Sequence, residues 1–281
     1  MPGTLSDTPG DALEPIDLPD AVLSRLRAAR SVLVLTGAGI SAESGIPTFR
    51  APGTGLWSQY RIEDFATPDA WRRNPQLVWS WYAHRRRLAQ RAQPNAGHLA
   101  LAELAAYYPD FTLVTQNVDG LHTRAGNKGV IELHGSLQRF RCSRDDRPVA
   151  YTDPDDNNPA ALAALEAGEL LDVPRCPDCG ALVRPDIVWF GEALPLHAFA
   201  RAEDAARACQ VCFVVGTSAI VYPAAALPET ARKAGALIVE INPEETELTP
   251  YADLSLRGPA GVVLPQLVAR ITQNAQEDGK H

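Results

Sequence analysis

Apolar residues fall in short, nearly unbroken runs along this chain. The runs are residues 31–35 (SVLVL), 112–115 (TLVT), 130–133 (VIEL), 211–215 (VCFVV) and 236–241 (ALIVEI). They are too short for helices and too apolar for strands with one wet face. Runs of this kind are predicted to be strands buried on both faces of a parallel sheet. Helical patterns at residues 21–30, 98–107 and 196–208 supply the crossovers, so the predicted fold is α/β, a doubly wound Rossmann-like parallel sheet. Small or polar residues follow each strand: Thr36 to Ser41, Gln116 to Asp119, His134-Gly135, Gly216 to Ser218 and Asn242-Pro243. Open α/β sheets bind their ligands at these carboxyl ends.

Two stretches break the βα rhythm. Residues 57–93 read as helical and carry Trp71, Trp79, Trp81 and several arginines. Residues 139–184 hold closely spaced cysteines and an irregular acidic segment at 152–158. The predicted division has a mobile leader at 1–20 and a Rossmann-like domain from 21–56, 94–138 and 186–270. A helical insertion (57–93) and a zinc-ribbon-like insertion (139–185) form the small domain, and 271–281 are a mobile tail.

Of the 281 residues, 46% are hydrophobic and 21% charged, as in ordinary soluble globular proteins. The net charge of -8 argues against a nucleic-acid partner, which favours a basic face. No run reaches the ~20 apolar residues of a membrane helix. No basic segment leads into an apolar one at the N-terminus, so a cytoplasmic location is expected and no membrane partner. A monomer is expected. The five cysteines are odd in number, which points away from a disulfide framework and towards metal binding, catalysis or burial. Cys209 and Cys212, at the ends of an apolar run, are expected to be buried.

Gly37-Ala38-Gly39-Ile40-Ser41-Ala42 follows the first strand and is expected to open a helix. In a GxGxxA loop Gly37 allows a tight turn, Gly39 admits a pyrophosphate, and the small Ala42 permits close helix–strand packing. The N-terminus of that helix favours a phosphate. An ordinary dehydrogenase would then show a strand ending in Asp or Glu about 20 residues on. Here an irregular run containing Thr48, Phe49, Arg50 and Trp57 follows instead, which counts against that class. A non-catalytic binding module built on the cysteine knuckle is the other competing class, and the acidic balance counts against it.

The segments GAGISAESGIPTFR, TQNVDGLH, ELHGS, CPDC, VWFGE, VVGTS and INPEE together, in this order, resemble the sirtuin family. The resemblance runs from about residue 31 to 264. It implies an NAD-dependent protein-lysine deacylase acting on acyl-lysine proteins or peptides and releasing nicotinamide and O-acyl-ADP-ribose. Deacetylation alone, or ADP-ribosyl transfer, are alternatives within the same family. It further implies a phosphate loop of Gly37, Ala38, Gly39, Ser41 and Ala42 with a cover bearing Thr48, Phe49, Arg50 and Trp57. Gln116, Asn117 and Asp119 would line the ribose and nicotinamide pocket. Gly216, Thr217, Ser218, Asn242, Pro243, Glu244 and Ala260 would hold the adenosine half. His134 would be the catalytic base, and Val188, Trp189, Phe190, Gly191 and Glu192 the strand that lays down the substrate peptide by β-augmentation.

Tyr82 and Arg85, spaced i, i+3, share one helix face and together suit a carboxylate. On charge alone, Arg85, Arg86 and Arg87 read as a solvated helix face. The Tyr-x-x-Arg pair, with the small Ala66 and with Thr48, resembles the sirtuin branch that prefers succinyl and malonyl groups. For a structural zinc the family pattern is two CxxC knuckles. This chain offers Cys176 and Cys179 in one knuckle, but Cys142 and Asp145 in the other. A Cys₃Asp zinc site and a small domain held by packing alone both remain open.

Overall fold

The computed structural model describes residues 15–47, 61–156 and 158–273. Six strands form one sheet in the order β3-β2-β1-β6-β7-β8. They are β1 (Ser31–Thr36), β2 (Asp110–Thr115), β3 (Ile131–Glu132), β6 (Val211–Val215), β7 (Leu237–Ile241) and β8 (Leu254–Leu256). All pairings in this sheet are parallel. Alternate side chains leave each strand on opposite faces. Val32, Val34, Phe213 and Val239 pack with α1 (Asp20–Ala28), α4 (Ala96–Tyr107) and α9 (Ala260–Thr272). Leu33, Leu35, Cys212 and Ile238 pack on the other face with α7 (Leu196–Ala208) and α8 (Leu227–Lys233). The order reverses at β1, which has β2 on one side and β6 on the other. A crevice opens over the carboxyl ends at such a switch point.

The edge strand predicted over 130–133 shrinks to two residues, because Leu133 N–H closes the last bond to Thr115 O before the chain turns off at Gly135 (φ 81°). Cys212 lies in the core as expected, and Cys209 is buried beside it. Among the described residues no helix is long and apolar enough to cross a membrane.

A second body is built from α2 (Pro68–Arg73), α3 (Pro75–Arg91), the antiparallel pair β4 (Gly135–Cys142) and β5 (Val183–Ile187), and α6 (Pro159–Glu166). Pro68 and Pro75 each open a helix, where the missing N–H costs nothing. Thr67 and Asn74 cap these two helices through Ala70 N–H and Leu77 N–H. The core of this body is aromatic: Trp71, Trp79, Trp81, Phe140 and Trp189.

The solvated-face reading of the arginine run fails for two of its members. Arg86 and Arg87 are 2% and 0% exposed. Asp153 accepts from both, at 2.5 Å and 3.2 Å, and Asp156 accepts from Arg86 at 2.8 Å. The irregular acidic segment thus provides the carboxylates that make burial of two guanidinium groups tolerable. Arg87 also donates to Ala161 O of α6 at 3.0 Å.

Candidate functional site

Three glycines bring the loops after β1 and β6 into contact. A Cβ on Gly39 would lie 2.7 Å from Gly216 Cα, and one on Gly216 would lie 2.4 Å from Ile40 N. Gly39 N–H donates to Gly216 O at 2.8 Å. Gly37 sits in extended backbone (φ -124°), not the tight turn expected, and its lack of a side chain makes room for Thr217, whose Cβ would lie 2.6 Å away. The segment that follows is a 3-10 helix, Ala38–Ser44, ended by Gly45 in the left-handed region (φ 79°). Gly45 and Pro47 allow it no room to lengthen into an α-helix. Ala42 is exposed, so its small size does not serve helix–strand packing. Thr48, Phe49, Arg50 and Trp57 lie outside the described residues.

Beneath this loop short polar side chains bond to one another. Ser41 donates to Asp119 at 2.8 Å, and Asn117 Nδ2 donates to Ser41 Oγ and to Gly37 O, both at 3.1 Å. Thr36 and Thr115 share a 2.8 Å bond, and Thr115 Oγ1 accepts from Asn117 N–H at 3.0 Å. Two buried histidines, His98 and His122, lie 4.9 Å apart between ring centres, tilted by 56°, and approach Ser41 (3.4 Å) and Thr36 (2.9 Å) respectively. Burial lowers His98 to about 4 and His122 to about 3, so both rings are neutral at physiological pH. No motif argument singled these histidines out. Each lies in the first turn of a helix, His98 of α4 and His122 of the helix Leu121–Arg124.

His134 stands one residue past the sheet edge. Its Nδ1 lies 3.0 Å from Gln116 O. A carbonyl only accepts, so Nδ1 carries the proton and Nε2 is left as a base. Val188 N–H donates to His134 O at 3.0 Å, fixing the backbone. Burial lowers the His134 pKa and the Gln116 contact partly offsets it, so the neutral ring is favoured. Gln116 also donates through Nε2 to Thr217 Oγ1 at 3.0 Å, linking the His134 side of the crevice to the β6 loop. Ser218 is half-buried beside Thr217.

Further along the rim, Asn242 Nδ2 donates to Glu244 O at 2.8 Å and closes the turn through the exposed Pro243. Buried Glu240, which sequence reasoning passed over inside an apolar run, organises the rest of that loop through Thr249, Ser255 and Arg257. Ala260 is buried at the start of α9. The next residue, Gly261, donates its N–H to the Glu43 carboxylate at 2.6 Å, tying the 3-10 segment to that helix end.

Residues 188–192 are not a strand. β5 ends at Ile187, and Phe190 N–H bonds Ala66 O at 2.9 Å while Glu192 N–H turns back to Trp189 O. The turn is forced because Glu192 is engaged inward: Arg184 grips its two oxygens at 2.6 Å and 2.9 Å, and Trp189 N–H donates to it at 2.9 Å. Phe190 is 53% exposed, whereas Trp189 is 2% exposed. Exposed Gly191 sits in the left-handed region at φ 89°.

Tyr82 and Arg85 project from α3 towards this turn and the rim. Tyr82 is buried, with its ring 6.4 Å from Trp189 and 4.7 Å from Trp81. Arg85 lies over the Trp81 ring at 5.0 Å. Burial lowers the Arg85 pKa, while the neighbouring Tyr82 hydroxyl and Asp119 carboxylate act in the opposite sense. Burial pushes the Tyr82 hydroxyl up, and the Arg85 cation pulls it back. Ala66 is buried close by, stitched to the 188–192 turn through its carbonyl.

Cys142, Cys176 and Cys179 place their sulfurs within 4.8 Å of one another, with Cys142 and Cys179 at 3.5 Å. Thiolates on a tetrahedral zinc with bonds of about 2.3 Å stand about 3.8 Å apart, so three corners fit. Gly180 (φ 72°) turns the knuckle, its N–H bonding Cys176 O at 2.9 Å. Asp145 is not drawn into the cluster. Its carboxylate pairs with the exposed Arg147 at 2.8 Å.

The Sir2 family model matches residues 37–223. A Methylococcus capsulatus protein named NAD-dependent protein deacylase is 46% identical over 259 residues, covering 92% of this chain and 99% of that one. A solved Sir2 homolog–NAD complex is 44% identical with a TM-score of 0.82, covering 92% of this chain and 95% of that one. A Sir2–p53 peptide–NAD+ structure is 34% identical with a TM-score of 0.72, covering 93% and 99%. Matches of this extent, over a crevice with these residues at its rim, mean that the chain belongs to the Sir2 family.

Proposed function

We propose that this protein is a cytoplasmic NAD-dependent protein-lysine deacylase that prefers succinyl- and malonyl-lysine to acetyl-lysine. The observation that carries the acyl preference is Arg85. It stands one turn from Tyr82 on α3, and its charge acts on Asp119 at the sheet rim. A cation so placed, beside a buried phenol, suits an acyl chain ending in a carboxylate. Relatives named for NAD-dependent deacylation and a solved homolog holding NAD support the wider reading.

NAD, when bound, would supply the ribose carbon that bonds the acyl oxygen as the nicotinamide bond breaks, and the neighbouring ribose hydroxyl that takes over the acyl group as water releases the lysine amine. The Gly37, Gly39 and Gly216 contacts bring the loops after β1 and β6 together at the carboxyl ends of the strands, where the phosphates would lie. Asn117, Asp119 and Ser41 present a fixed hydrogen-bonding surface to the nicotinamide ribose. His134 Nε2 takes a proton from a ribose hydroxyl, with Nδ1–H steadied by Gln116 O. Gly216, Thr217, Ser218, Asn242, Pro243, Glu244 and Ala260 border the adenosine half. Phe190 and Gly191 border the substrate peptide. Cys142, Cys176 and Cys179 would hold a structural zinc, with Asp145 the candidate for the fourth ligand.

The test is turnover of matched succinyl-, malonyl- and acetyl-lysine peptides with NAD, following nicotinamide release. The acidic substrates are expected to lead. Arg85→Met is expected to cost them roughly 10- to 100-fold while sparing acetyl. A clear acetyl preference in the wild type would overturn the acyl assignment, and no nicotinamide release on any peptide would overturn the deacylase.

A further inference from the structure

Trp189 is an anomaly in an otherwise bonded site. Its indole is 2% exposed, yet among the described residues Nε1–H has no hydrogen-bond acceptor. Buried donors without partners are rare and call for a reason. The ring cannot turn away to find one. Arg184 stacks on it at 3.3 Å, Trp71 flanks it at 5.7 Å, and the backbone N–H of Trp189 is tied to Glu192 at 2.9 Å. Several contacts therefore hold the indole in a setting that satisfies only its apolar body.

The missing acceptor belongs on the Tyr82 side. The two rings face each other at 6.4 Å, tilted by 33°. The indole also favours the ionised form of the Tyr82 hydroxyl, as an N–H directed towards it does. Arg85 approaches the same hydroxyl from one helical turn away. A carboxylate has about four lone-pair sites. An Arg fork fills two and a Tyr hydroxyl one, which leaves one for a further donor.

We propose that the Trp189 indole N–H is a third donor of the acyl site, binding the terminal carboxylate of an acidic acyl-lysine together with Tyr82 and Arg85. This rests on the acidic-acyl reading above and adds a residue to it. An acetyl group ends short of these donors, so the contact discriminates between acyl classes.

Trp189→Phe removes the N–H and keeps a ring under Arg184. Its kcat/KM on succinyl- and malonyl-lysine peptides, taken relative to that on acetyl-lysine peptide, is expected to fall roughly 10- to 100-fold. Equal losses on all three peptides, or none, would overturn the inference. A wild type that processes acetyl peptide and shows no acidic preference overturns the acidic-acyl reading itself. A wild type with the preference and a Trp189→Phe that keeps it overturns this inference alone. Should Trp189→Phe fail to fold, wild-type protein with ¹⁵N-labelled tryptophan decides. One of the five indole N–H signals is expected to move downfield with succinyl peptide and not with acetyl peptide. Identical spectra with both peptides would overturn it.

Discussion

At the sheet rim the polar groups are short, mostly uncharged and bonded to one another. Thr36, Thr115, Asn117, Ser41 and the neutral pair His98 and His122 form one connected set around a single carboxylate, Asp119. On α3 they are long and charged, and their partners come from far along the chain. Arg86 and Arg87 are answered by Asp153 and Asp156, and Arg184 on β5 by Glu192. The rim gains rigidity from many modest bonds, as suits a surface for a cofactor of fixed shape. The α3 side hangs on a few strong pairs.

Breaking the charged side should therefore cost most. Asp153→Asn leaves two buried guanidinium groups short of a partner, and urea denaturation is expected to show a loss of about 3–5 kcal/mol. The KM for NAD should change little, because no rim residue bonds Asp153. A loss under 1 kcal/mol would mean the network is looser than its geometry.

The neutral side shows itself through pH. His98 and His122 fold with values near 4 and 3, below the ordinary 6.5. Between those values the unfolded chain binds protons that the folded chain does not. Stability is thus full above about pH 6.5 and falls as pH drops towards 4, by about 1.4 kcal/mol per pH unit for each ring. His122→Gln keeps a donor for Thr36 and removes one titrating ring, so it should flatten that slope between pH 6 and 4. An unchanged slope would show that this histidine does not set acid stability.

These two regions were not equally legible in the sequence. The rim follows from strand ends, which apolar runs mark directly, so Gln116, Asn117, Asp119 and His134 could be placed before any coordinates. The glycines have a second role besides the one their motif suggested. Gly37 and Gly39 matter because a distant loop touches them, and that contact is invisible along the chain. The partner of the arginine run was equally hidden. The pairing of α3 with residues 153 and 156 spans a long loop, and charge alone described the arginines as solvated. The 188–192 turn was misread as a strand because its apolar letters conceal that Glu192 is drawn inward by Arg184. Asp145 was read by its spacing to Cys142, and a neighbour only two residues away, Arg147, holds its carboxylate.

The central claim is that His134 Nε2 is the base that acts on the nicotinamide ribose. Nicotinamide and O-acyl-ADP-ribose formation by His134→Ala, measured beside wild type on the best acyl-lysine peptide, tests it most directly. Deacylation is expected to fall roughly 10²- to 10⁴-fold with the fold retained. Turnover close to wild type in a folded His134→Ala protein would contradict it.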